Sequence, residues 1–224
     1  MHSLINSAGQ QNLYAFTDTT PNISPKFIES HVDKLPIRVK DLSFSYGDEV
    51  VFDNVNFDIE QGTLVVVTGK RSQGKYTLLQ ILGQVQVPPR QGGGVCFVPS
   101  HLRILHIAPQ LYFLNSTLRY NLFFGVIDSA DALMDLKPAV EERAYEICRK
   151  LSLPEHLFDA LKTNSELEIA TLPRSDRALL SLARALIANP EVLVIHTPGI
   201  FFGAVRRDLV MRVLREYAGC RFLG

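Results

Sequence analysis

The sequence predicts an α/β fold with a mainly parallel core sheet, an antiparallel β subdomain and a helical subdomain. The first observation is the stretch TLVVVTGKRSQGKYTLLQILG, in which a β-branched run, a glycine-bounded loop and an apolar-periodic helix follow one another. The second is that further apolar runs alternate with amphipathic stretches, which is typical of strands and helices around a parallel sheet. The third is the pair IRVKDLSFSY and VFDNVNFDIE, whose apolar and polar residues alternate as in half-buried antiparallel strands.

The first part of the chain predicts a linker, a helix, two short strands and a helical subdomain. Residues 1–36 are rich in Asn, Ser, Thr, Gln and Pro without a sustained period, so we expect a linker there and a folded domain over 37–224. The helix after the loop should end at Gly83, since glycine is favoured just past a helix end. GVCFVP and RILHIAP then predict two short strands. Helical patterns fill a subdomain over about 115–188, and PAVEERAYEICRKL is their clearest amphipathic stretch.

The last part of the chain predicts helix, strand and helix. Ser175 or Asp176 is a candidate N-cap for the helix RALLSLARALI, and the pair Asn189-Pro190 should end it. VLVI predicts a buried strand, and DLVMRVLREY predicts a final helix after Gly203.

The composition narrows the class of protein. Lys+Arg and Asp+Glu both number 23 in 224 residues, so the formal charge is zero, which argues against a mainly electrostatic nucleic-acid partner. Apolar residues make up 46% of the chain, enough for a packed core. No apolar run approaches the ~20 residues that span a bilayer, and no signal-peptide pattern opens the chain. Cys96, Cys148 and Cys220 have no metal-type spacing, so we expect free thiols in a reducing compartment.

The glycine-bounded loop is the candidate site. In a strand–loop–helix unit, backbone N–H groups and the helix N-terminus surround a phosphate, and a lysine at the helix start neutralises its oxygens. Lys75 has that place, whereas Lys70 and Arg71 are by default solvated loop residues. The alternative is a tight glycine turn without a ligand. The predicted binding residues of the loop are Gly69, Lys70, Arg71, Ser72, Gln73, Gly74, Lys75, Tyr76 and Thr77.

Tyr76 departs from the phosphate-loop motif. The motif has Ser or Thr directly after the lysine, where a short hydroxyl reaches Mg²⁺. A phenol at the end of a ring cannot place its oxygen at that point. We therefore expect phosphate binding with Mg²⁺ weakened or lost.

Further landmarks surround the loop in a fixed order. FSY with Tyr46 precedes it, IAPQLYFLNSTLRYNLFFG with Gln110 follows it, and LPRSDRALLSLARALIANPEVLVIHTPG comes last. Together they resemble the nucleotide-binding domain of ABC transporters, and the sequence after Gln110 is most similar to that of exporter-type members. The resemblance extends from Ile37 to the C-terminus and implies a P-loop NTPase-type core. It also implies that Tyr46 stacks on adenine and that Gln110 serves Mg²⁺ or transmembrane coupling.

The sequence differs from that family at the motifs that carry out its chemistry. LPRSD, residues 172–176, replaces the signature LSGGQ and adds bulk and a carboxylate where the family has glycines. The Walker B strand ends in His196-Thr197 instead of Asp-Glu; imidazole is a poor Mg²⁺ ligand, and threonine is no base near neutral pH. Gly203 stands where the next loop has Asp, and the chain ends at Gly224 before the strand and histidine of the family's switch.

Each of these residues also has a simpler interpretation. Tyr46 could be a strand-edge aromatic, Gln110 a surface residue after proline, and His196 a buried, hydrogen-bonded residue at a strand end. LPRSD could be a loop with a helix cap.

The resemblance implies an ATP-binding domain that couples nucleotide binding to transmembrane transport, as a degenerate half-site with little or no hydrolysis of its own. Its partners would be a second ABC nucleotide-binding domain and transmembrane domains in cis or trans, at the cytoplasmic face of a membrane, and no nucleic acid. ATP is the expected cofactor, with Mg²⁺ weakened or lost, and no catalytic residue or metal ligand is assigned. Two alternatives stay open. One is an interaction or regulatory scaffold that keeps the fold without nucleotide; the other is an active soluble ATPase, for which His196 is the candidate substitute base.

Overall fold

The computed structural model describes residues 2–4, 12–16, 35–89, 92–127, 133, 136–164 and 168–220, and for 2–4, 12–16 and 220 the backbone alone. The chain forms two compact units, Met1–His106 and Ile107–Gly224. The strands are β1 (His2–Leu4), β2 (Asn12–Phe16), β3 (Ile37–Tyr46), β4 (Glu49–Ile59), β5 (Leu64–Thr68), β6 (Val95–Phe97), β7 (Ile104–Ile107) and β8 (Val192–Ile195). The helices are α1 (Lys75–Leu82), α2 (Leu118–Phe123), α3 (Pro138–Lys150), α4 (Glu155–Thr163), α5 (Arg174–Ile187) and α6 (Ala204–Cys220), with a 3₁₀ turn at Ile169–Thr171.

Strands β3 and β4 form the antiparallel hairpin that the sequence predicts. Ile37 lies opposite Ile59, and the register shifts at bulges further along. Strand β6 adds to the other edge of β3, with Val39 opposite Cys96. The alternation of the sequence turns Val39 into the core, and the register shift between Val39 and Leu42 brings Leu42 there as well; they are 1% and 0% exposed. The predicted antiparallel β subdomain is therefore confirmed.

The strand before the loop, β5, pairs with β2. Thr68 lies opposite Asn12 and Leu64 opposite Phe16 in antiparallel register, and β1 continues this sheet beyond β2. The registers of the pairs formed by β1 to β6 are antiparallel, and β7 pairs with β8 in a separate two-stranded sheet. The predicted mainly parallel core sheet stays a prediction. The edges of β5 need hydrogen-bond partners, and the N-terminal segment supplies one of them.

The expected linker, 1–36, contains β1 and β2. The rest of that segment up to residue 34 lies outside the described residues, so its assignment as a linker stays a prediction.

Helix α1 has the bounds that the sequence predicts. It ends at Leu82, and the backbone N–H of Gly83 donates to the Leu79 carbonyl at 2.8 Å. Its buried face carries Leu78 and Ile81, which are 0% and 2% exposed. The helix after the loop is thereby anchored by a buried apolar face.

Helices α2 to α6 bury a common apolar core in the second unit. The amphipathic stretch expected to be helical is α3, which begins at Pro138 and carries Glu141 in its first turn and Arg149 and Lys150 in its last. Proline is favoured at the first position of a helix. An acidic residue near the start and basic residues near the end interact favourably with the helix dipole. Helix α5 runs through the middle of the core, and its fully buried residues are Leu179, Leu180, Ala183 and Leu186.

Side chains from α3 and α6 hold the C-terminal end of α5. Arg143 donates to the Ile187 carbonyl at 2.7 Å, and the Tyr217 hydroxyl donates to the Pro190 carbonyl at 2.8 Å. Asn189 has φ 51°, which turns the chain out of the helix where the sequence predicts its end.

The predicted N-cap of α5 is wrong. The helix already begins at Arg174, so Pro173 occupies the cap position and no side chain caps the helix. Ser175 and Asp176 therefore lie inside the first turn. Pro173 stands directly before the first helical residue, where the missing N–H of proline costs no helical hydrogen bond.

An ion pair joins α2 to α3. Glu141 accepts hydrogen bonds from Arg119 and from the Tyr145 hydroxyl, both at 2.6 Å. These two bonds hold the pKa of the Glu141 carboxyl below its usual range. Burial and the Glu141 carboxylate raise the pKa of Tyr145.

Cys96 and Cys148 are free thiols, as predicted, and the side chain of Cys220 lies outside the described residues. Burial raises the pKa of Cys148 to about 12 and also raises that of Cys96. None of the helices in the described part of the chain is both long and apolar enough to cross a bilayer.

Candidate functional site

The end of β5, the loop and the start of α1 build the predicted phosphate site within the first unit. Residues 69–74 connect Thr68 to Lys75. Gly74 stands before α1 with φ 74° and ψ 7°, a left-handed conformation that favours glycine. A Cβ at this position would lie 2.4 Å from Cγ1 of Val51 on β4. Gly74 is thus required by its backbone conformation and by the close approach of β4.

The ammonium group of Lys75 lies across the loop. It donates to the carbonyl of Gly69 at 3.0 Å and to the carbonyl of Lys70. An ammonium has three donors, so these two contacts leave one for a phosphate oxygen. The lysine that the sequence assigns to the phosphate is also the group that closes the loop on itself.

The side chain of Gln73 braces the same loop from the other direction. Its Oε1 accepts the backbone N–H of Lys70 at 2.7 Å. Ser72, between them, has φ 60°, a left-handed value that is unusual for a residue with a Cβ. Gln73 therefore stabilises the curled form of the loop by a hydrogen bond within the loop itself.

The N-terminal end of α1 supplies positive partial charge to the loop. In α1, all of whose residues are described, the first turn holds no acidic side chain. The first helical hydrogen bond runs from the Leu78 N–H to the Gly74 carbonyl at 2.8 Å. The N–H groups before Leu78 have no intrahelical acceptor, and such groups favour anions.

The structure brings Tyr46 to the start of α1. Its hydroxyl lies 3.4 Å from the hydroxyl of Thr77, and its ring meets Phe44 edge-on, with centroids 5.0 Å apart. Tyr46 is 51% exposed and Tyr76 is 38% exposed, whereas Thr77 is buried at 6%. Tyr46 and the loop, both predicted to bind nucleotide, therefore share one part of the first unit.

Gln110, the last predicted binding residue, belongs to the second unit and is exposed there. The segment that follows it is held firmly. Arg184 of α5 donates to the Tyr112 carbonyl at 3.0 Å and lies over the Phe113 ring at 5.1 Å. Burial lowers the pKa of Arg184.

Asn121 fixes the next residues of this segment. It is 1% exposed. Its Oδ1 accepts the Leu114 N–H at 2.8 Å, and its Nδ2 donates to the carbonyls of Leu114, Ser116 and Thr117 at 3.0, 3.3 and 3.1 Å. One buried amide thereby determines the path of the chain into α2.

The LPRSD segment of the second unit forms the start of α5. The Asp176 carboxylate is buried at 7% exposure; it accepts a hydrogen bond from the Ser175 hydroxyl at 3.3 Å and lies 3.9 Å from Arg206 of α6. The Arg174 guanidinium lies 5.4 Å from the centre of the Phe201 ring. A carboxylate therefore already occupies the positive end of this helix.

His196 and Thr197 follow β8 directly. The backbone N–H of His196 donates to the Ile107 carbonyl at 3.3 Å, and its Nδ1 lies 3.3 Å from the Thr197 hydroxyl. His196 is half-buried and hydrogen-bonded at a strand end. Within the described ranges, no group of three or more His, Cys, Asp or Glu side chains is placed to hold a metal ion.

Comparison with known proteins shows the family to which the chain belongs. The family model described as "ABC transporter" matches residues 52–198, which are more than half of the chain. The chain therefore belongs to the ABC transporter family, and by its match it is an ATP-binding domain of that family.

Individual relatives give a finer view. Over 173 residues, 70% of the chain, it is 28% identical to an ATP-dependent lipid A-core flippase of Francisella tularensis subsp. holarctica, of which it spans 26%. It is 26% identical to a zinc import ATP-binding protein of Ehrlichia ruminantium, over 76% of this chain and 63% of that protein. Its fold is similar to that of a bacterial Atm1-family ABC exporter with ATP bound, with a TM-score of 0.63, 17% identity and coverage of 89% of this chain and 35% of that one. The chain thus spans about a quarter of the flippase that it matches.

Sequence reasoning missed several contacts of the site. It gave Gln73 no bracing role, did not pair Tyr46 with Thr77, and did not pair Asp176 with Arg206. The loop bond has a local signal, because an amide three residues after a backbone N–H can reach it. The other two join residues that are distant along the chain, and nothing in the local pattern indicates them.

Proposed function

We propose that this chain is the ATP-binding domain of an ABC transporter that couples nucleotide binding to transmembrane transport, as a degenerate half-site with little or no hydrolysis of its own. The single observation that carries nucleotide binding is the curled loop with the Lys75 ammonium across it. It stands at the start of a helix without acidic residues in its first turn. Tyr46, Gln110 and residues 69–77 are the proposed nucleotide contacts. The P-loop NTPase-type core with a mainly parallel sheet belongs to the same proposal.

The weak hydrolysis follows from three side chains. Tyr76 replaces the hydroxyl that would reach Mg²⁺, and His196 and Thr197 replace the metal-supporting carboxylate and the base. General-base help alone accounts for about 10²–10⁴-fold in rate. We therefore expect ATP binding with weakened or lost Mg²⁺ and very slow or undetectable turnover in the isolated chain.

The proposed partners are a second ABC nucleotide-binding domain and transmembrane domains, in cis or in trans. The names of the flippase and of the exporter, and the quarter of the flippase that this chain spans, support this assignment. The proposed place is the cytoplasmic face of a membrane. The partner's phosphate loop would face the LPRSD segment, where the buried Asp176 carboxylate opposes an incoming phosphate.

A scaffold that has lost nucleotide is the competing proposal. A Tyr76 side chain that filled the phosphate space would favour it. Tyr76 is 38% exposed and residues 69–72 are exposed, which favours an accessible loop and counts against the scaffold.

Calorimetric titration of the chain with ATP, with and without Mg²⁺, tests the proposal. We expect binding that survives removal of Mg²⁺ and that Lys75→Ala weakens by about tenfold or more, because a charge-assisted contact to phosphate is lost. Lys40→Ala is the matched control, since it removes an exposed lysine of the first unit that is not among the proposed nucleotide contacts. No binding at millimolar ATP, with the fold intact by circular dichroism, would contradict nucleotide binding and favour the scaffold.

A further inference from the structure

The strand that leads into the phosphate loop is paired by a segment from the start of the chain. All five residues of β5 have a partner in β2, and the last pair joins Thr68 to Asn12. The sheet has the order β1–β2–β5, so β2 lies between the other two strands. In the described part of the chain, β2 is therefore the one strand that is hydrogen-bonded to β5.

This pairing is important because the side chains of β5 are incompletely buried. All five residues of β5 are half-buried, whereas Val39 and Leu42 of β3 are 1% and 0% exposed. A strand that buries less apolar surface depends more on its backbone hydrogen bonds. We therefore expect the position of β5 to depend on β2.

The last pair of the two strands stands directly before the phosphate loop. Gly69 follows Thr68, and the Gly69 carbonyl accepts a hydrogen bond from the Lys75 ammonium at 3.0 Å. The carbonyl of Lys70 accepts a bond from the same ammonium. A displacement of the end of β5 would carry the Gly69 carbonyl away from Lys75 and loosen the curled form of the loop.

The other end of the loop is held by side-chain packing. Val51 and Phe52 of β4 are the side chains nearest to Gly74, and α1 buries Leu78 and Ile81. One end of the loop is thus held by packing and the other by strand pairing.

The strand pair β1–β2 is suited to local opening. Terminal segments are among the elements of a protein that open at the lowest cost in free energy. The acceptor of β2 lies more than forty residues further along the chain, so the pairing must offset the entropy of closing a long segment.

We propose that β1 and β2 form a coupling element: the pairing of β2 with β5 holds the phosphate loop in its curled form, and displacement of β2 lowers the affinity for ATP. The inference rests on the proposed binding of ATP and adds to that site a regulating contact made outside residues 69–77. Coupling between two sites is reciprocal, so bound ATP stabilises the strand pairing in turn.

Hydrogen exchange in the unaltered chain tests this reciprocity. Exchange is followed by mass spectrometry with and without saturating ATP. We expect ATP to slow the exchange of the backbone amides of β2 and β5 more than that of β3 and β4, which report on unfolding of the whole unit. Slower exchange in β5 with unchanged exchange in β2 would overturn the coupling.

A double proline variant, Leu13→Pro with Tyr14→Pro, tests the other direction. The N–H groups of neighbouring strand residues point to opposite sides, so this variant removes a bond to β5 as well as a bond to β1. We expect faster exchange in β5 and a Kd for ATP that rises about 5- to 150-fold, the usual range of coupling between two sites. Leu13→Val with Tyr14→Val is the matched control, since valine keeps the N–H and suits a strand, and its Kd should stay unchanged.

Two results of the proline variant would overturn the inference. Unchanged exchange in β5 would mean that β2 does not hold the strand, and an unchanged Kd despite faster exchange would mean that the strand does not act on the loop. If the variant fails to fold, the exchange experiment on the unaltered chain still decides. Absence of ATP binding in the unaltered chain would instead overturn the proposed function, together with the coupling.

Discussion

Replacing Asn121 by alanine should destabilise the second unit strongly. The side chain is 1% exposed and makes bonds to the Leu114 N–H and to the carbonyls of Leu114, Ser116 and Thr117. Two of these carbonyls keep a backbone partner: Thr117 keeps the Asn121 N–H at 3.1 Å, and Leu114 keeps the Ser116 N–H at 2.8 Å. The two bonds that leave a group without a partner, to the Leu114 N–H and to the Ser116 carbonyl, cost about 1 kcal/mol each. With the cavity that the side chain leaves, the loss in the free energy of unfolding is about 2–4 kcal/mol.

Urea unfolding followed by far-ultraviolet circular dichroism measures this loss, because α2 to α6 carry most of the helix in the described residues. Asn115→Ala is the matched control, since Asn115 is exposed in the same segment and its change should stay within about 0.5 kcal/mol. Asn121→Asp keeps the acceptor for the Leu114 N–H and removes the donors, so it should cost at least as much. A loss below about 0.5 kcal/mol for Asn121→Ala would refute the assignment of these bonds to the stability of the unit.

Three further changes have defined outcomes. Gly74→Ala puts a Cβ at φ 74°, 2.4 Å from Val51, and should lower the free energy of unfolding by more than about 1 kcal/mol and weaken ATP binding; unaltered stability and affinity would contradict the packing. Glu141→Gln should flatten the acid limb of the stability curve: the Arg119 contact lowers the pKa of Glu141 in the folded state, so its contribution is present above the unfolded pKa of ~4.3 and is lost as pH falls through the lower folded value. Cys148, with its pKa raised to about 12, should react with a thiol reagent at pH ~8.5 only as fast as the unit opens; labelling at the rate of a free thiol would contradict its burial.

Local signals predicted most elements of the fold. Pro138 at a helix start, acidic and then basic residues along α3, and the apolar period of the stretch determine that helix by themselves. Gly83 ends α1 for an equally local reason. The loop residues were found because a strand, glycines and a lysine are consecutive in the sequence.

Long-range pairing could not be predicted in the same way. The partner of β5 is β2, more than forty residues earlier in the chain, and the edge of an apolar strand accepts any extended segment that reaches it. The same holds for the Tyr46–Thr77 bond and for the Asp176–Arg206 contact. Their geometry depends on how the elements pack, and the sequence pattern does not state it.

Helix α5 is fastened mainly by its far end and its middle. Arg143 and Tyr217 bind the carbonyls at its exit, and its central leucines fill the core of the second unit. At its entrance, Asp176 lies 3.9 Å from Arg206 and the Arg174 guanidinium lies 5.4 Å from the centre of the Phe201 ring. The buried leucines and the two bonds at the exit do not involve residues 172–176, so the position of the helix in the core tolerates changes of sequence at its entrance.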